Sequence, residues 1–213
     1  MERKCYLYSA IGDSLTVGVG FSLFTNGFIT RYVYLTREVL NAPVVPFVFG
    51  KIGATTGNIL NSLNNPIIRR RIENSEIITI TAGGNDLIQA AKQYLLDKNE
   101  KDFFYALENG KKNLEAIIHQ IVELKQKNAP YIIRMMNLYN PFSDMKGTDK
   151  WVEAYNQNIE RLAHSPIVKI ANIHDLFYGK EKELLSLDHI HPNSQGYYII
   201  ADALSQLGYA PLI

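Results

Sequence analysis

Apolar, β-branched and aromatic residues gather in five short runs along the chain, at positions 6–11, 44–49, 77–82, 131–138 and 167–170. Near-continuous apolar runs of this length predict strands buried on both faces, not the alternating strands of a half-exposed sheet. Between them, apolar residues return every three or four positions, which predicts helices over 28–40, 57–63, 102–127, 151–163 and 194–207. Strand and helix alternate along the whole length. Such alternation predicts an α/β fold, a three-layer α/β/α sandwich around a five-stranded parallel sheet, and right-handed crossovers favour a doubly wound strand order.

In such a sheet ligands bind outside the carboxyl ends of the strands, so the loops that follow the strands are where chemistry belongs. Four of them are polar: Gly12-Asp13-Ser14-Leu15-Thr16 after the first strand, Gly50 to Thr56 after the second, Gly83-Gly84-Asn85-Asp86 after the third, and Asp188-His189-Ile190-His191-Pro192 before the last helix. Ser14 stands where a helical turn can begin just past a strand, with its hydroxyl free to enter the cleft. A serine hydroxyl becomes a nucleophile when a base takes its proton, and a histidine oriented by a carboxylate is the common base. His191 and Asp188 supply that pair, and Pro192 keeps His191 out of helical backbone. Acyl transfer also needs donors for the developing oxyanion. The N–H groups of Ser14 and Gly53 and the side-chain amide of Asn85 come from three loops at one sheet edge.

Composition narrows the possibilities. The 213 residues carry 22 Lys+Arg against 21 Asp+Glu, a net charge of +1, which excludes electrostatic capture of nucleic acid. A length of 213 with 46% hydrophobic residues suits one globular domain over 1–213, and no linker or repeat divides it. The single cysteine, Cys5, cannot form an internal disulfide and is expected to pack within the first strand. No window reaches the roughly 20 apolar residues of a transmembrane helix. The apolar start lacks a cleavage site, so a cytoplasmic location is expected.

The ordered blocks GDSLTVG (Gly12 to Gly18), Gly53, GGND (Gly83 to Asp86) and DHIHP (Asp188 to Pro192) resemble those of the SGNH subgroup of GDSL hydrolases. The resemblance implies that family's flavodoxin-like fold, with Ser14 as nucleophile, Asp188 and His191 completing a triad, and Ser14, Gly53 and Asn85 forming the oxyanion hole. It implies no metal and no cofactor. It is strongest to bacterial lipase/acylhydrolases, including the spore-germination lipases of bacilli, so a spore-coat location is a second expectation. Activity is expected to fall on acidification, as protonated histidine cannot act as a base.

The expected substrate is a small-molecule or lipid ester. Phe21, Leu23, Phe24 and Phe28, Leu87, Ile88, Tyr94 and Leu95, and Leu138, Tyr139, Phe142 and Met145 flank the blocks and suggest an acyl-chain groove, with about half expected to face the core instead. Lipid esters or lysophospholipids lead. Removal of acetyl groups from carbohydrate is the alternative within the family, with Trp151 as an exposed sugar platform. A non-catalytic binding module is the alternative from another class. Other readings rank lower: His189 with His191 as metal ligands, His174 with Asp175 as rival triad members, and Gly18 to Leu23 as a dinucleotide loop. Asp86 reads as a structural brace, the Arg69-Arg70-Arg71 run as a solvated helix end, and His119 and His164 as surface or core residues within helices.

Overall fold

The computed structural model describes residues 5–20, 27–125, 130–164 and 166–213. The strands are β1 (Tyr6–Gly12), β2 (Val44–Gly50), β3 (Ile77–Thr81), β4 (Ile132–Met136) and β5 (Val168–Ala171). They form one parallel sheet in the order β2-β1-β3-β4-β5. Each coincides with a predicted run to within a few residues. The central strands β3 and β4 are buried at every position, which is why they read as unbroken apolar runs.

Two helical layers cover the sheet. On one face Phe28 and Tyr32 of α2 (Gly27–Leu40), Phe177 of α8 (Ile173–Phe177), Leu184 of α9 (Glu181–Leu184) and Tyr197 of α10 (Ser194–Gln206) pack with Tyr6, Tyr8 and Ala10 of β1. On the other, Ile59 of α3 (Thr56–Ser62), Ile72 of α4 (Pro66–Asn74), Leu87 of α5 (Gly84–Asp97), Leu114 of α6 (Lys101–Lys125) and Tyr155 of α7 (Asp149–Glu160) meet Ile78, Ile80, Ile133 and Met135. A one-turn helix, α1 (Ser14–Val17), follows β1 directly.

The sequence pattern missed α5, although Leu87, Ile88, Tyr94 and Leu95 lie on it, because Gly-Gly-Asn-Asp reads as a turn. Gly83 makes the turn, and the helix starts at Gly84. Asn65 caps α4 by accepting from the Ile67 N–H, with Pro66 at its first position, so Arg69 to Arg71 fall inside a helix that the pattern showed only as a helix end. Cys5 corrects a second expectation: it precedes β1 and is exposed, so it does not pack. His119 lies exposed on α6, while α7 ends at Glu160 and leaves His164 in an isolated bridge with Val168 beyond it.

Candidate active site

The strand order reverses direction between β1 and β3, and the loops that leave those two strands flank the crevice where α/β proteins of this order bind ligands. The chain turns sharply at Gly12, where φ is +156° and a Cβ would collide with the carbonyl and hydroxyl of Thr81 on the neighbouring strand. Asp13 then caps α1. Its Oδ1 accepts from the Leu15 N–H (3.0 Å) and from the Thr81 hydroxyl (2.8 Å), pinning the turn to the end of β3. Asp13 is therefore a helix cap, as its residue type predicts, and Ser14 is held at the first position of the turn.

The Ser14 hydroxyl meets His191 Nε2 at 2.9 Å, and His191 Nδ1 meets Asp188 Oδ2 at 2.6 Å. The other oxygen, Asp188 Oδ1, accepts from the Ser186 hydroxyl and from the N–H groups of Ile190 and His191. Partial burial raises the Asp188 carboxyl, but these donors, led by the His191 ring, outweigh it and hold it well below the usual carboxylate range. A serine, an imidazole and an ionised carboxylate in this order can deprotonate the hydroxyl and stabilise the imidazolium that results.

The loop that carries His191 is fastened from three sides. Ser186 N donates to the His191 carbonyl, the Tyr139 hydroxyl beyond β4 donates to the Ile190 carbonyl (2.7 Å), and the Asn193 side chain caps α10 while donating to the Glu183 and Leu185 carbonyls. Tyr139 was expected in an acyl groove; it lines the cavity and its hydroxyl braces the loop that carries His191. Sequence reading missed Ser186, for which the only signal is its place two residues before Asp188.

Gly53 and Asn85 border the same cavity as Ser14 and His191. Gly53 has φ +76°, which favours glycine over any residue with a side chain. The Asn85 amide donates to the Ala54 carbonyl at 3.0 Å, which joins the two loops and leaves its second N–H for a ligand. Asp86, the expected brace, accepts from both the N–H (2.9 Å) and the hydroxyl (2.6 Å) of Thr56. Burial raises its carboxyl above the usual range despite these donors.

The cavity measures about 300 Å³. Leu87 and Ile88, Leu138, Tyr139 and Phe142 line it as expected, joined by Phe103, Trp151 and Val152, which sequence reading did not place there. Phe28 is in the opposite core, while Leu95 and Met145 face solvent. Phe21, Leu23 and Phe24, and with them half of the Gly18 to Leu23 stretch, lie outside the described residues. Trp151 corrects an expectation: it is 8% exposed and stacked on Phe103 at 4.6 Å, so it is no open sugar platform. The rival pair His174 and Asp175 sits on α8, not at a strand end, and its members contact each other at 3.2 Å while Ser14 bonds His191. His189 is exposed at φ +57°, and among the described residues no three His, Cys, Asp or Glu side chains gather as a metal site requires. No described helix is long and apolar enough to cross a membrane.

The chain matches the family model of the GDSL-like lipase/acylhydrolase family over residues 10–199. It is 41% identical over 206 residues to the spore germination lipase LipC of Bacillus licheniformis, a match covering 96% of this chain and 97% of that protein. The crystal structure of the lipase Lip_vut3 from a goat rumen metagenome superposes with a TM-score of 0.94 at 40% identity, over 98% of this chain and all of that one. The acetylxylan esterase Axe2 of Geobacillus stearothermophilus, at 18% identity and a TM-score of 0.72 over 95% of this chain and 93% of that one, shares the fold. The chain belongs to the GDSL-like lipase/acylhydrolase family, and it is a carboxylic ester hydrolase.

Proposed function

We propose that the protein hydrolyses lipid or lysophospholipid esters through Ser14, His191 and Asp188, with the Ser14 and Gly53 N–H groups and the Asn85 amide as the oxyanion hole. The observation that carries the chemistry is the unbroken hydrogen-bond chain from the Ser14 hydroxyl to Asp188. In the proposed cycle His191 removes the Ser14 proton and Ser14 attacks the ester carbonyl. The three donors hold the tetrahedral oxyanion, and His191 passes its proton to the departing alcohol. Water, deprotonated by the same imidazole, then attacks the acyl-serine, and the imidazolium returns that proton to the Ser14 oxygen as the acid leaves. Asp188 stays ionised throughout and keeps Nε2 turned to the reacting oxygen. No step calls for a metal or an organic cofactor.

The lipid assignment rests on the cavity beside Ser14, whose wall is mostly apolar side chains. Burial of each methylene of an acyl chain against such a wall contributes ~0.8 kcal/mol. The likeness to a spore germination lipase agrees with this substrate class and extends the proposal to a spore-associated role. Hydrolysis of p-nitrophenyl esters from acetyl to palmitoyl, with native protein and Ser14→Ala, tests the reading. A rate that rises beyond acetyl and drops by about 10⁴-fold or more in the variant is expected. An acetyl optimum would transfer the enzyme to carbohydrate deacetylation, and full activity in Ser14→Ala would remove the mechanism.

A further inference from the structure

The cavity has a direction. It starts at Ser14, Gly53 and Asn85 and follows α5, whose residues Leu87, Ile88 and Ala91 form one wall. At 1.5 Å per residue, the step from Asn85 to Ala91 is about 9 Å, room for an acyl chain of roughly six to eight carbons. The cavity is also lined by Phe103, from the first turn of α6, which packs on Tyr94 about one turn beyond Ala91, and by Trp151, from the first turn of α7. These two rings stack at 4.6 Å with an interplanar angle of 8°. Behind them Phe104 touches Trp151 edge-on at 5.1 Å and is 61% exposed. Trp151 is thus a partition between the cavity, which it lines, and the exposed Phe104, and Leu95, Leu96 and Tyr105 of α5 and α6 are exposed as well.

Trp151 is held in place by more than the stack. The Lys150 ammonium lies 4.6 Å from the Trp151 ring centroid and is paired with Glu100 at 2.6 Å, which links the start of α7 to the start of α6. Tyr94 of α5 packs on Phe103, with centroids 5.9 Å apart. The partition therefore belongs to three helices that meet at this end of the cavity.

We infer that the Phe103–Trp151 pair is the floor of an acyl pocket and sets the chain length the enzyme accepts, with medium-chain esters as its preferred class. This rests on the lipid-ester reading above and adds to it a length limit and the side chains that impose it. Shortening Trp151 opens the pocket toward the apolar outer surface and admits longer chains. Filling the pocket one turn earlier, at Ala91, excludes them.

The test compares kcat/KM on p-nitrophenyl butyrate, octanoate and palmitate for the native protein, Trp151→Leu and Ala91→Phe. Ratios between esters are read within each variant, so a reduced yield of folded protein cancels. The native optimum is expected at octanoate. Trp151→Leu should raise the palmitate-to-octanoate ratio about tenfold, and Ala91→Phe should lower the octanoate-to-butyrate ratio by a similar factor, since methylenes in an apolar pocket discriminate about tenfold or more. Equal losses on all three esters in both variants would make the pair merely structural and overturn the inference, with the lipid-ester reading intact. A native enzyme that prefers p-nitrophenyl acetate, assayed beside these three, would overturn that reading itself.

Discussion

Two carboxylates within the site illustrate how environment divides one residue type into different roles. Asp188 is partly exposed and rich in donors, so its carboxyl is held low; Asp13 is buried, and desolvation raises its carboxyl above the usual range although Thr81 and Leu15 donate to it. The linkage signs are opposite. Asp188 contributes stability that is present above the unfolded carboxylate range, near pH ~3.9, and is lost only as pH falls through its lower folded value. Asp13 behaves in reverse: its ionisation is disfavoured in the fold, so its contribution declines as pH rises from ~4 through its raised folded value. Since both hydrogen bonds of Asp13 go to Oδ1, Asp13→Asn keeps an acceptor for them. Its Tm relative to the native protein should therefore climb between about pH 4 and pH 8, by ~2–4 °C for each ~1 kcal/mol. A difference that stays constant with pH would show that Asp13 is not penalised by burial.

At the scale of elements, the site is an agreement among loops that start at different strands, and short polar clasps enforce it. The Asp86–Thr56 clasp ties the start of α5 to the start of α3, on either side of the Asn85–Ala54 bond. Asp86→Ala leaves the Thr56 N–H and its buried hydroxyl without their acceptor, at a cost of ~1–3 kcal/mol. Thermal unfolding should fall by roughly 3–10 °C, and kcat should fall with it as the Asn85 amide loses its registration. A variant with native kcat would mean that Asn85 is positioned without the clasp.

The strands and long helices were legible in the sequence because their apolar spacing is set by burial on two faces, and the triad candidates because their blocks are local in sequence. What joins those blocks was not legible. Thr81 reaching Asp13, Tyr139 reaching the Ile190 carbonyl and Phe103 stacking on Trp151 are contacts between residues 48 to 68 apart along the chain, which no local pattern encodes. Asn85 was recognised while the helix it begins was missed, since two glycines and an asparagine carry turn signals that tertiary packing overrode.

For the molecule as a whole, the end opposite the site depends on a buried cation. Arg134 of β4 is fully buried, and its guanidinium donates to the Gly208, Ile133 and Ile167 carbonyls at 2.6–3.2 Å, joining the sheet to the segment after α10. Arg134→Ala would take the guanidinium from those oxygens, of which the Ile167 carbonyl keeps the Ile133 N–H, and leave a void between β4, β5 and the C-terminal segment. A loss of about 3–5 kcal/mol is expected in urea unfolding. A change below ~1 kcal/mol would mean that water or backbone shifts replace the guanidinium.

The central proposal concerns Ser14, and the most direct measurement is mass spectrometry after incubation with an organophosphonate ester probe. If His191 activates Ser14, the native protein gains one phosphonyl group on the peptide that contains Ser14, hydrolysis stops in proportion, and both Ser14→Ala and His191→Ala stay unlabelled. Adduct formation on another residue, or labelling of Ser14 that is undiminished in His191→Ala, would contradict the triad.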